Sequence, residues 1–383
     1  MMRALVTFLF SLIDSVLDRV SRALRSSRGK PRRAQIVPHR SYGTRQKLVV
    51  IGRVINNRPI RPSAEDSAIL NFWHMLQRWL THELPDVKVR ARDGGGVYET
   101  RSDAEGFFRM EIPAGSPPVD ERGWHEVELD LPDFPTPTGK PAIAKVLVPS
   151  DEAEFGIISD IDDTVIFTAA TNILRMAKTV LLGTAFSRLP FKGVAAFYRG
   201  LGEGGTGRPV NPIFYVSSSP WNLYDVLRDL FELRSIPSGP LMLQDFGIEP
   251  GKFITESHRV HKLRAIRGIL DTYPHLQFIL VGDSGQKDPE IYRETVDLFP
   301  ERILAVYIRD VSRKAERDEA IRALAEQMRP LTCDLVLAEE TDEVARHALS
   351  HGWIAAKVLT EIEQETAGEK KAQPIETILH QQT

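Results

Sequence analysis

Two closely spaced aspartates, Asp160 and Asp162, follow a short apolar segment in the pattern Asp-Ile-Asp-Asp-Thr. Because side chains alternate along a strand, both carboxylates would face one cleft where the chain leaves a sheet. Two buried carboxylates repel each other unless a divalent cation lies between them or one of them holds a proton. Either condition suits phosphoryl transfer. An isolated Asp-x-Asp is often a solvated turn, but an apolar segment followed by Asp-x-Asp-x-Thr is much less common.

A second acidic pair ends another apolar segment further along the chain. Residues 278–288 have the sequence Phe-Ile-Leu-Val-Gly-Asp-Ser-Gly-Gln-Lys-Asp, which places Asp283 and Asp288 after a predicted strand. Carboxylate oxygens are hard ligands of the kind that Mg²⁺ prefers. We therefore expect both to be further Mg²⁺ ligands.

Two residues between the acidic pairs could bind a phosphoryl group. Ser217 ends an apolar segment, and the helix predicted to begin at Ser219-Pro220 would turn its N-terminus toward an anion. Lys262 belongs to a predicted helix, beside an apolar stripe where lysine usually extends into solvent. The histidines near it, His258 and His261, are predicted to lie at the surface. The stripe consists of Val260, Leu263, Ile266, Ile269 and Leu270.

The elements around these residues predict an α/β domain. Short apolar segments alternate with amphipathic helical segments after residue 155, which is typical of βαβ units that form a parallel sheet. Ligands of such sheets bind at the carboxyl ends of the strands, where the aspartates are expected. The strands are predicted at residues 156–159, 212–216, 241–243, 277–281, 303–307 and 334–337.

The preceding part of the chain has a different pattern, which predicts a small β-sandwich. A helix at residues 64–84 is expected to cover its sheet, and residues 93–96 (Asp-Gly-Gly-Gly) form a predicted turn. Residues 29–44 are basic and rich in Pro and Gly, as in a linker. The sandwich strands are predicted at residues 47–54, 87–92, 106–112, 125–131 and 142–148. The predicted domains are 1–44 (basic segment and linker), 45–150 (sandwich), 151–360 (α/β) and 361–383 (flexible tail).

The first forty residues carry nine basic and two acidic side chains, a net charge of +7. Their apolar stretch, residues 4–13, is shorter than the roughly 20 residues that span a bilayer. An amphipathic helix at an anionic membrane surface fits this pattern, as do a helix packed on the protein and a weak signal peptide. Residues 168–202, in a predicted small helical insert with a helix at 173–182, add five basic side chains and no acidic one.

Whole-chain composition restricts the partners. The formal net charge of −3 over 383 residues does not suggest a nucleic-acid-binding protein. One cysteine, Cys333, excludes an internal disulfide and fits a reducing, cytoplasmic compartment, where the protein would contact the membrane only peripherally. Cys333 itself is expected in a core.

In its four motifs the sequence resembles the haloacid dehalogenase superfamily. Asp160-x-Asp162-x-Thr164, Ser217, Lys262 and Gly282-Asp283 to Asp288 match in order. The resemblance implies a Rossmann-like sheet, with Asp160 as a nucleophile that forms an aspartyl-phosphate and Asp162 as the general acid and base. It further implies that Thr164 helps to hold the loop and that Ser217 and Lys262 bind the phosphoryl oxygens. Mg²⁺ would bind Asp160, the Asp162 carbonyl and Asp283.

Within this superfamily the chain is most similar to the fungal actin-patch phosphatidate phosphatases. The similarity lies in the segments DIDDT, YVSSSPWNLY, HKLRAIRGIL and FILVGDSGQKDPEIY. It implies Mg²⁺-dependent hydrolysis of phosphatidate to diacylglycerol and phosphate. Two alternatives remain open from the residues: a phosphatase for a soluble phosphomonoester, and an inactive, membrane-binding adaptor.

Overall fold

The computed structural model describes residues 34–56, 84–135, 140–161, 193–244, 258–312, 314–331 and 333–372. Three predicted helices lie outside these residues: the basic N-terminal helix, nearly all of the helix at 64–84, and the insert helix at 173–182. Residues 373–383 of the predicted tail also lie outside them, whereas residues 361–372 belong to a described helix, Lys357–Ala372, so the prediction of a flexible tail is wrong over that part. No described helix has the length and apolar character needed to cross a membrane.

The N-terminal part of the described chain consists of two β-sheets around one apolar core. One sheet has the order β1-β3-β6, and the other has the order β2-β8-β7-β4-β5. Leu48 and Val50 of the first sheet share a buried cluster with Val127 and Leu129 of the second. The strands are β1 (Ala34–His39), β2 (Ser41–Tyr42), β3 (Lys47–Asn56), β4 (Lys88–Asp93), β5 (Gly96–Arg101), β6 (Phe107–Pro113), β7 (Trp124–Asp130) and β8 (Ala142–Leu147).

The five strands predicted for this part are confirmed as β3, β4, β6, β7 and β8. The predicted turn is also confirmed, because Gly94 and Gly95 join β4 to β5 with φ values of 53° and 83°. Positive φ at both central residues is the requirement of the tight hairpin turn that matches strand twist, and glycine meets it without strain.

The linker predicted at residues 29–44 is wrong over its described part. Residues from Ala34 onward form β1, which pairs antiparallel with β3, and Ser41–Tyr42 form β2 beside β8. Ala34 and Ile36 are buried while Gln35 is exposed, so a short alternation is present. The surrounding basic residues and Pro38 obscured it in the sequence.

The C-terminal part is built on a six-stranded parallel sheet with the order β11-β10-β9-β12-β13-β14. Two apolar clusters lie against it, and Cys333 is buried as predicted. All six predicted strands are confirmed. They are β9 (Gly156–Asp160), β10 (Ile213–Pro220), β11 (Leu241–Gln244), β12 (Phe278–Asp283), β13 (Ile303–Arg309) and β14 (Asp334–Ala338).

The helices of this part cover the sheet. One boundary differs from the prediction: β10 continues through Pro220, a 3-10 turn follows at Trp221–Leu223, and only then does α2 begin. Ser219 therefore does not cap a helix. The described helices are α1 (Val194–Glu203), α2 (Tyr224–Leu233), α3 (His258–Thr272), α4 (Asp288–Leu298), α5 (Ala315–Met328), α6 (Thr341–Ser350) and α7 (Lys357–Ala372).

The sandwich and the parallel-sheet part contact each other through aromatic residues. The Tyr42 ring meets the Phe214 ring edge-on at 5.5 Å between centroids. The Tyr273 hydroxyl donates to the Gly43 carbonyl oxygen at 2.9 Å. Trp124 and Leu147 of the sandwich belong to one of the apolar clusters of the parallel sheet. The segment mistaken for a linker thus joins the two parts.

Candidate active site

The strand order of the parallel sheet reverses direction at β9. β9 lies between β10 and β12, so strands that follow β9 in the chain lie on both sides of it. A crevice forms at the carboxyl ends of the strands at such a point, and ligands of open α/β sheets bind there. Asp160 is the last residue of β9, and Asp283 is the last residue of β12. The fold therefore places these two carboxylates at the point where a ligand is expected.

Lys262 lies between two of the predicted acidic residues rather than at the surface. Its Nζ is 2.7 Å from Asp160 Oδ1 and donates a short hydrogen bond to Asp288 Oδ1. All three side chains are buried. Burial lowers the pKa of Lys262, but the charges of Asp160 and Asp288 outweigh this effect and raise it above the ordinary value. The lysine is therefore a fixed cation inside the site.

Asp288, the first residue of α4, uses both carboxylate oxygens within the site. Oδ1 accepts from Lys262, and Oδ2 accepts from the Asp283 backbone N–H at 3.2 Å. Gly282 makes this arrangement possible, since a Cβ atom there would lie 2.6 Å from Asp288 Oδ2. A glycine precedes Asp283 because the N-terminus of α4 approaches the end of β12 closely.

The charge balance of the site fits a divalent cation. One oxygen each of Asp160, Asp283 and Asp288 lies within 4.8 Å of the others, and among the described residues Lys262 is the lysine that pairs with Asp160 and Asp288. Burial and the nearby Asp288 raise the pKa of Asp283 to about 7. Within the described residues, Asp283 Oδ2 is buried and accepts no hydrogen bond. A cation among these oxygens would offset the excess negative charge and bind the unused atom.

The other oxygen of Asp283 is held by the loop that follows β12. Oδ1 accepts from the backbone N–H groups of Gly285 at 2.6 Å and Gln286 at 2.9 Å. These two bonds fix the orientation of the carboxylate and leave Oδ2 directed into the acidic cluster.

Ser217 lies near the carboxyl end of β9, on the neighbouring strand. Val216 is in register with Asp160 on the neighbouring strand, so Ser217 follows at the same edge of the sheet. Its hydroxyl oxygen accepts from the Ser219 backbone N–H at 2.9 Å. The prediction that His261 lies at the surface is wrong: it is buried, and its Nε2 lies 3.2 Å from the Ser217 carbonyl oxygen. α3 thus positions the Ser217 backbone as well as Lys262.

A hydrogen-bonded pair behind Asp160 was not found from the sequence. Ser159 Oγ donates to the Asp160 carbonyl oxygen at 2.6 Å, and the Tyr198 hydroxyl lies 2.6 Å from Ser159 Oγ. Because the serine proton is used on Asp160, the tyrosine must donate to the serine. These two hydrogen bonds together fix the backbone of Asp160. Tyr198 comes from α1, 38 positions further along the sequence, so no local pattern indicates the contact.

The remaining predicted site residues, Asp162 and Thr164, lie outside the described residues. The structure brings together Asp160, Lys262, Asp283 and Asp288, with Ser217 at the same edge of the sheet. The described site therefore contains a buried carboxylate beside a buried lysine, and further carboxylates suited to a divalent cation. Such an arrangement can bind and neutralise a phosphoryl group.

Comparison with known proteins agrees with this arrangement. Residues 155–310 match the family model described as the catalytic domain of phosphatidate phosphatase APP1, which confirms the resemblance for this segment. Phosphatidate phosphatase APP1 of Saccharomyces cerevisiae is 36% identical over 155 residues, which are 40% of this chain and 25% of that protein. An uncharacterized protein of Schizosaccharomyces pombe is 28% identical over 261 residues, 62% of this chain and 39% of that protein. The chain thus spans well under half the length of either relative.

Two solved structures show distant likeness to the chain. The carbohydrate acetylesterase XAC1771 of Xanthomonas citri aligns with a TM-score of 0.30 and 12% identity, covering 86% of this chain and 74% of that one. A family two carbohydrate esterase of Cellvibrio japonicus aligns with a TM-score of 0.17 and 12% identity, covering 79% and 96%. Scores this low say nothing about the fold or chemistry of this chain.

Proposed function

Since residues 155–310 match the catalytic domain of a phosphatidate phosphatase, we propose that this chain is a phosphoric monoester hydrolase of the haloacid dehalogenase type whose substrate is phosphatidate. The observation that carries the proposal is the buried contact between Lys262 and Asp160 at the end of β9, with Asp283 at the end of the adjacent strand. A nucleophilic carboxylate needs a nearby cation to approach a phosphate dianion, and Lys262 is such a cation.

Asp160 is the nucleophile in this mechanism. Its carboxylate oxygen forms a bond to phosphorus while the bond between phosphorus and the ester oxygen breaks, giving an aspartyl-phosphate and an alcohol. Asp162 donates the proton that the leaving oxygen takes up and then removes a proton from water, which attacks phosphorus and releases phosphate from Asp160. The Ser159 hydroxyl contributes by holding the Asp160 backbone.

Lys262 and Ser217 bind the phosphoryl oxygens, and Thr164 holds the loop that follows Asp160. Lys262 contacts two carboxylates before substrate binds, so its charge is already oriented and little reorganisation is needed. Asp288 acts mainly by positioning this lysine, because both of its oxygens already accept hydrogen bonds.

Mg²⁺ is the cation proposed for the site, held by the carboxylates of Asp160 and Asp283, with Asp288 beside them and the Asp162 carbonyl as a further ligand. When bound, it supplies positive charge that neutralises the phosphoryl oxygens. The support from this chain is the buried oxygen of Asp283, which accepts no hydrogen bond from the described residues, and an excess of carboxylates over lysine.

Phosphatidate as substrate implies work at a membrane surface in the cytoplasm. The basic first forty residues and the basic segment 168–202 supply positive charge that an anionic surface attracts. Of the basic side chains in these segments the structure describes Arg40 and Arg199, which form ion pairs with Glu232 and Glu365. The others lie outside the described residues, so this part of the proposal is supported by sequence. Peripheral contact would bring the carboxyl end of the sheet to a lipid head group.

The test is phosphate release from phosphatidate in mixed micelles, with Mg²⁺ or with EDTA, by the wild type and the Asp160→Asn variant. A soluble phosphomonoester is assayed in parallel. Mg²⁺-dependent release from the lipid that the variant lacks is the expected result. Release from the soluble ester only would discard the lipid substrate and keep the mechanism, and no release from either would support the inactive adaptor instead.

A further inference from the structure

A second group of possible metal ligands lies at the edge of the parallel sheet. Asp334 is the first residue of β14, while His347 lies in α6 and His351 directly follows that helix. The two histidines are four positions apart, so they lie one helical turn from each other on the same face. One ligand atom of each of the three side chains lies within 4.8 Å of the others.

This group is remote from the acidic site. Asp334 is in register with Ala305, Ala305 with Ile279, and Ile279 with Ile157. Asp334 is thus three strands and three residues away from Asp160, a backbone separation of roughly 17 Å at ordinary strand spacings. It lies toward the amino ends of the strands, whereas Asp160 lies at a carboxyl end. The two sites therefore share no residue.

The hydrogen bonds of His351 direct its other nitrogen toward the carboxylate. Its Nδ1 lies 3.0 Å from the His347 carbonyl oxygen, which can only accept. Nδ1 therefore carries the proton, and in the neutral ring Nε2 has a free lone pair. This atom is 3.8 Å from Asp334 Oδ2. A lone pair facing a carboxylate oxygen is favourable when a cation lies between them.

His347 can take the same form. Its Nδ1 lies 3.0 Å from the Tyr307 hydroxyl oxygen, which can accept a hydrogen bond from it, and its Nε2 lies 3.3 Å from Asp334 Oδ2. Metal-binding histidines usually donate their second ring N–H to an oxygen of this kind, which fixes the ring. Both histidines thus have the supporting contact that a ligand requires.

The spacing of the ligand atoms fits a tetrahedral ion. Zinc bonds of about 2.0–2.1 Å to nitrogen and carboxylate oxygen put neighbouring ligand atoms about 3.3 Å apart. The observed separations from Asp334 Oδ2 are 3.3 Å to His347 and 3.8 Å to His351. The ligand atoms of the two histidines lie within 4.8 Å of each other, and Asp334 and His351 are exposed side chains that can move closer to an ion.

We infer that Asp334, His347 and His351 form a binding site for Zn²⁺ or a similar transition-metal ion, with the fourth position open to solvent. A set of two imidazoles and one carboxylate binds zinc in preference to magnesium. The ion would join the beginning of β14, an edge strand of the sheet, to the end of α6. Its role is therefore to stabilise this edge against local opening rather than to take part in phosphoryl transfer.

The first test measures Zn²⁺ bound at equilibrium to the full chain at about pH 7.5, in excess Mg²⁺ to occupy the acidic site. We compare the wild type with His351→Ala and with Asp334→Asn, which preserves side-chain shape. His275→Ala is the control, because His275 is exposed and lies in the turn after α3. We expect the wild type and the control to bind one more equivalent than either variant, or to bind it at least tenfold more tightly. Equal binding by all four proteins overturns the inference.

The second test uses Co²⁺ as a spectroscopic substitute for Zn²⁺. Four-coordinate Co²⁺ absorbs visible light much more strongly than the six-coordinate ion, so wild-type protein should show intense absorption that the Asp334→Asn variant lacks. Zn²⁺ should also raise the melting temperature of the wild type by several degrees and leave that of the variant unchanged. Weak six-coordinate absorption in the wild type, or an equal thermal shift in both proteins, contradicts the site.

Discussion

Lys262 Nζ and Asp160 Oδ1 are 2.7 Å apart in a place that solvent does not reach. The contact joins a helix to the end of a strand 102 positions earlier in the sequence. A buried charge pair contributes modestly to stability when intact, but removal of one partner is costly. The lysine therefore neutralises part of the acidic cluster, and in the proposed mechanism the same cation binds the phosphoryl oxygens.

We predict that Lys262→Met abolishes phosphatase activity and lowers the free energy of unfolding by about 3–5 kcal/mol in EDTA, because three carboxylates then lack their buried cation. Mg²⁺ should recover part of the lost stability and none of the activity. Urea denaturation with and without Mg²⁺ measures the first effect, and phosphate release measures the second. Lys287→Met is the control, since Lys287 is exposed and next to Asp288 in sequence. The same stability with and without Mg²⁺ would contradict the proposed cation position.

Replacement of Asp283 tests the metal site itself. Its buried Oδ2 accepts no hydrogen bond from the described residues, so Asp283→Asn should keep the fold and lose a ligand. We expect the Mg²⁺ concentration for half-maximal activity to rise by at least about tenfold. The exposed Asp271→Asn on α3 should leave it unchanged. An unaltered Mg²⁺ requirement in Asp283→Asn would remove this residue from the ligand set.

The sequence predicted most of the strands and the members of the acidic cluster for a physical reason. Strand positions follow from apolar segments of limited length, and the ends of parallel strands meet at one edge of a sheet. Asp160 and Asp283 could therefore be assigned to one crevice from their positions in the sequence. The order of β9 beside both β10 and β12 then makes them neighbours.

What the sequence did not reveal depends on contacts between distant elements. Val260 was predicted inside and Lys262 beside the stripe, yet Val260 is 45% exposed and Lys262 is 1% exposed. Helical periodicity predicts apolar residues on the buried face. It cannot show that two carboxylates from other elements pair with a buried lysine there. His261 was misplaced for the same reason, because its contact is a backbone carbonyl at Ser217.

Tyr198→Phe tests whether the hydrogen bonds from Tyr198 to Ser159 and from Ser159 to Asp160 position the proposed nucleophile, Asp160. We predict that the variant lowers kcat several-fold and leaves KM nearly unchanged, because the substrate-binding groups remain. Loss of one buried hydrogen bond should cost roughly 1 kcal/mol of stability. Steady-state kinetics on phosphatidate micelles measure the first effect, and urea denaturation measures the second.

The matched control for that variant is Tyr215→Phe. The Tyr215 ring stacks on the Tyr198 ring, but its hydroxyl donates to the Pro237 carbonyl oxygen at 2.8 Å and not to the Asp160 segment. It should lose similar stability with kcat intact. If both variants lose the same activity, the effect is one of general packing, and the positioning role is wrong.

The last prediction concerns the junction between the sandwich and the parallel-sheet part. The His39 ring stacks on Trp221 with centroids 4.8 Å apart and planes inclined by 6°, and it lies 4.2 Å from the Tyr224 ring. Burial lowers the pKa of His39 to about 3, and the charges of Arg53 and Arg228 add to the effect. The native protein therefore keeps this ring neutral over the ordinary pH range.

Because the pKa of His39 is depressed in the folded state, its contribution to stability is fully present above the unfolded value near 6.5 and is lost as pH falls toward about 3. At about pH 5 the loss amounts to roughly 2 kcal/mol, since the unfolded chain binds a proton that the native chain does not. His39→Phe keeps an aromatic ring and removes the titration. We expect the decrease in unfolding free energy between about pH 7.5 and pH 5 to be roughly 2 kcal/mol smaller in this variant than in the wild type. Urea denaturation at both pH values measures this difference, with exposed His275→Phe as the control that should behave as the wild type. An identical pH dependence in His39→Phe and wild type would contradict the depressed pKa of His39 in the folded state.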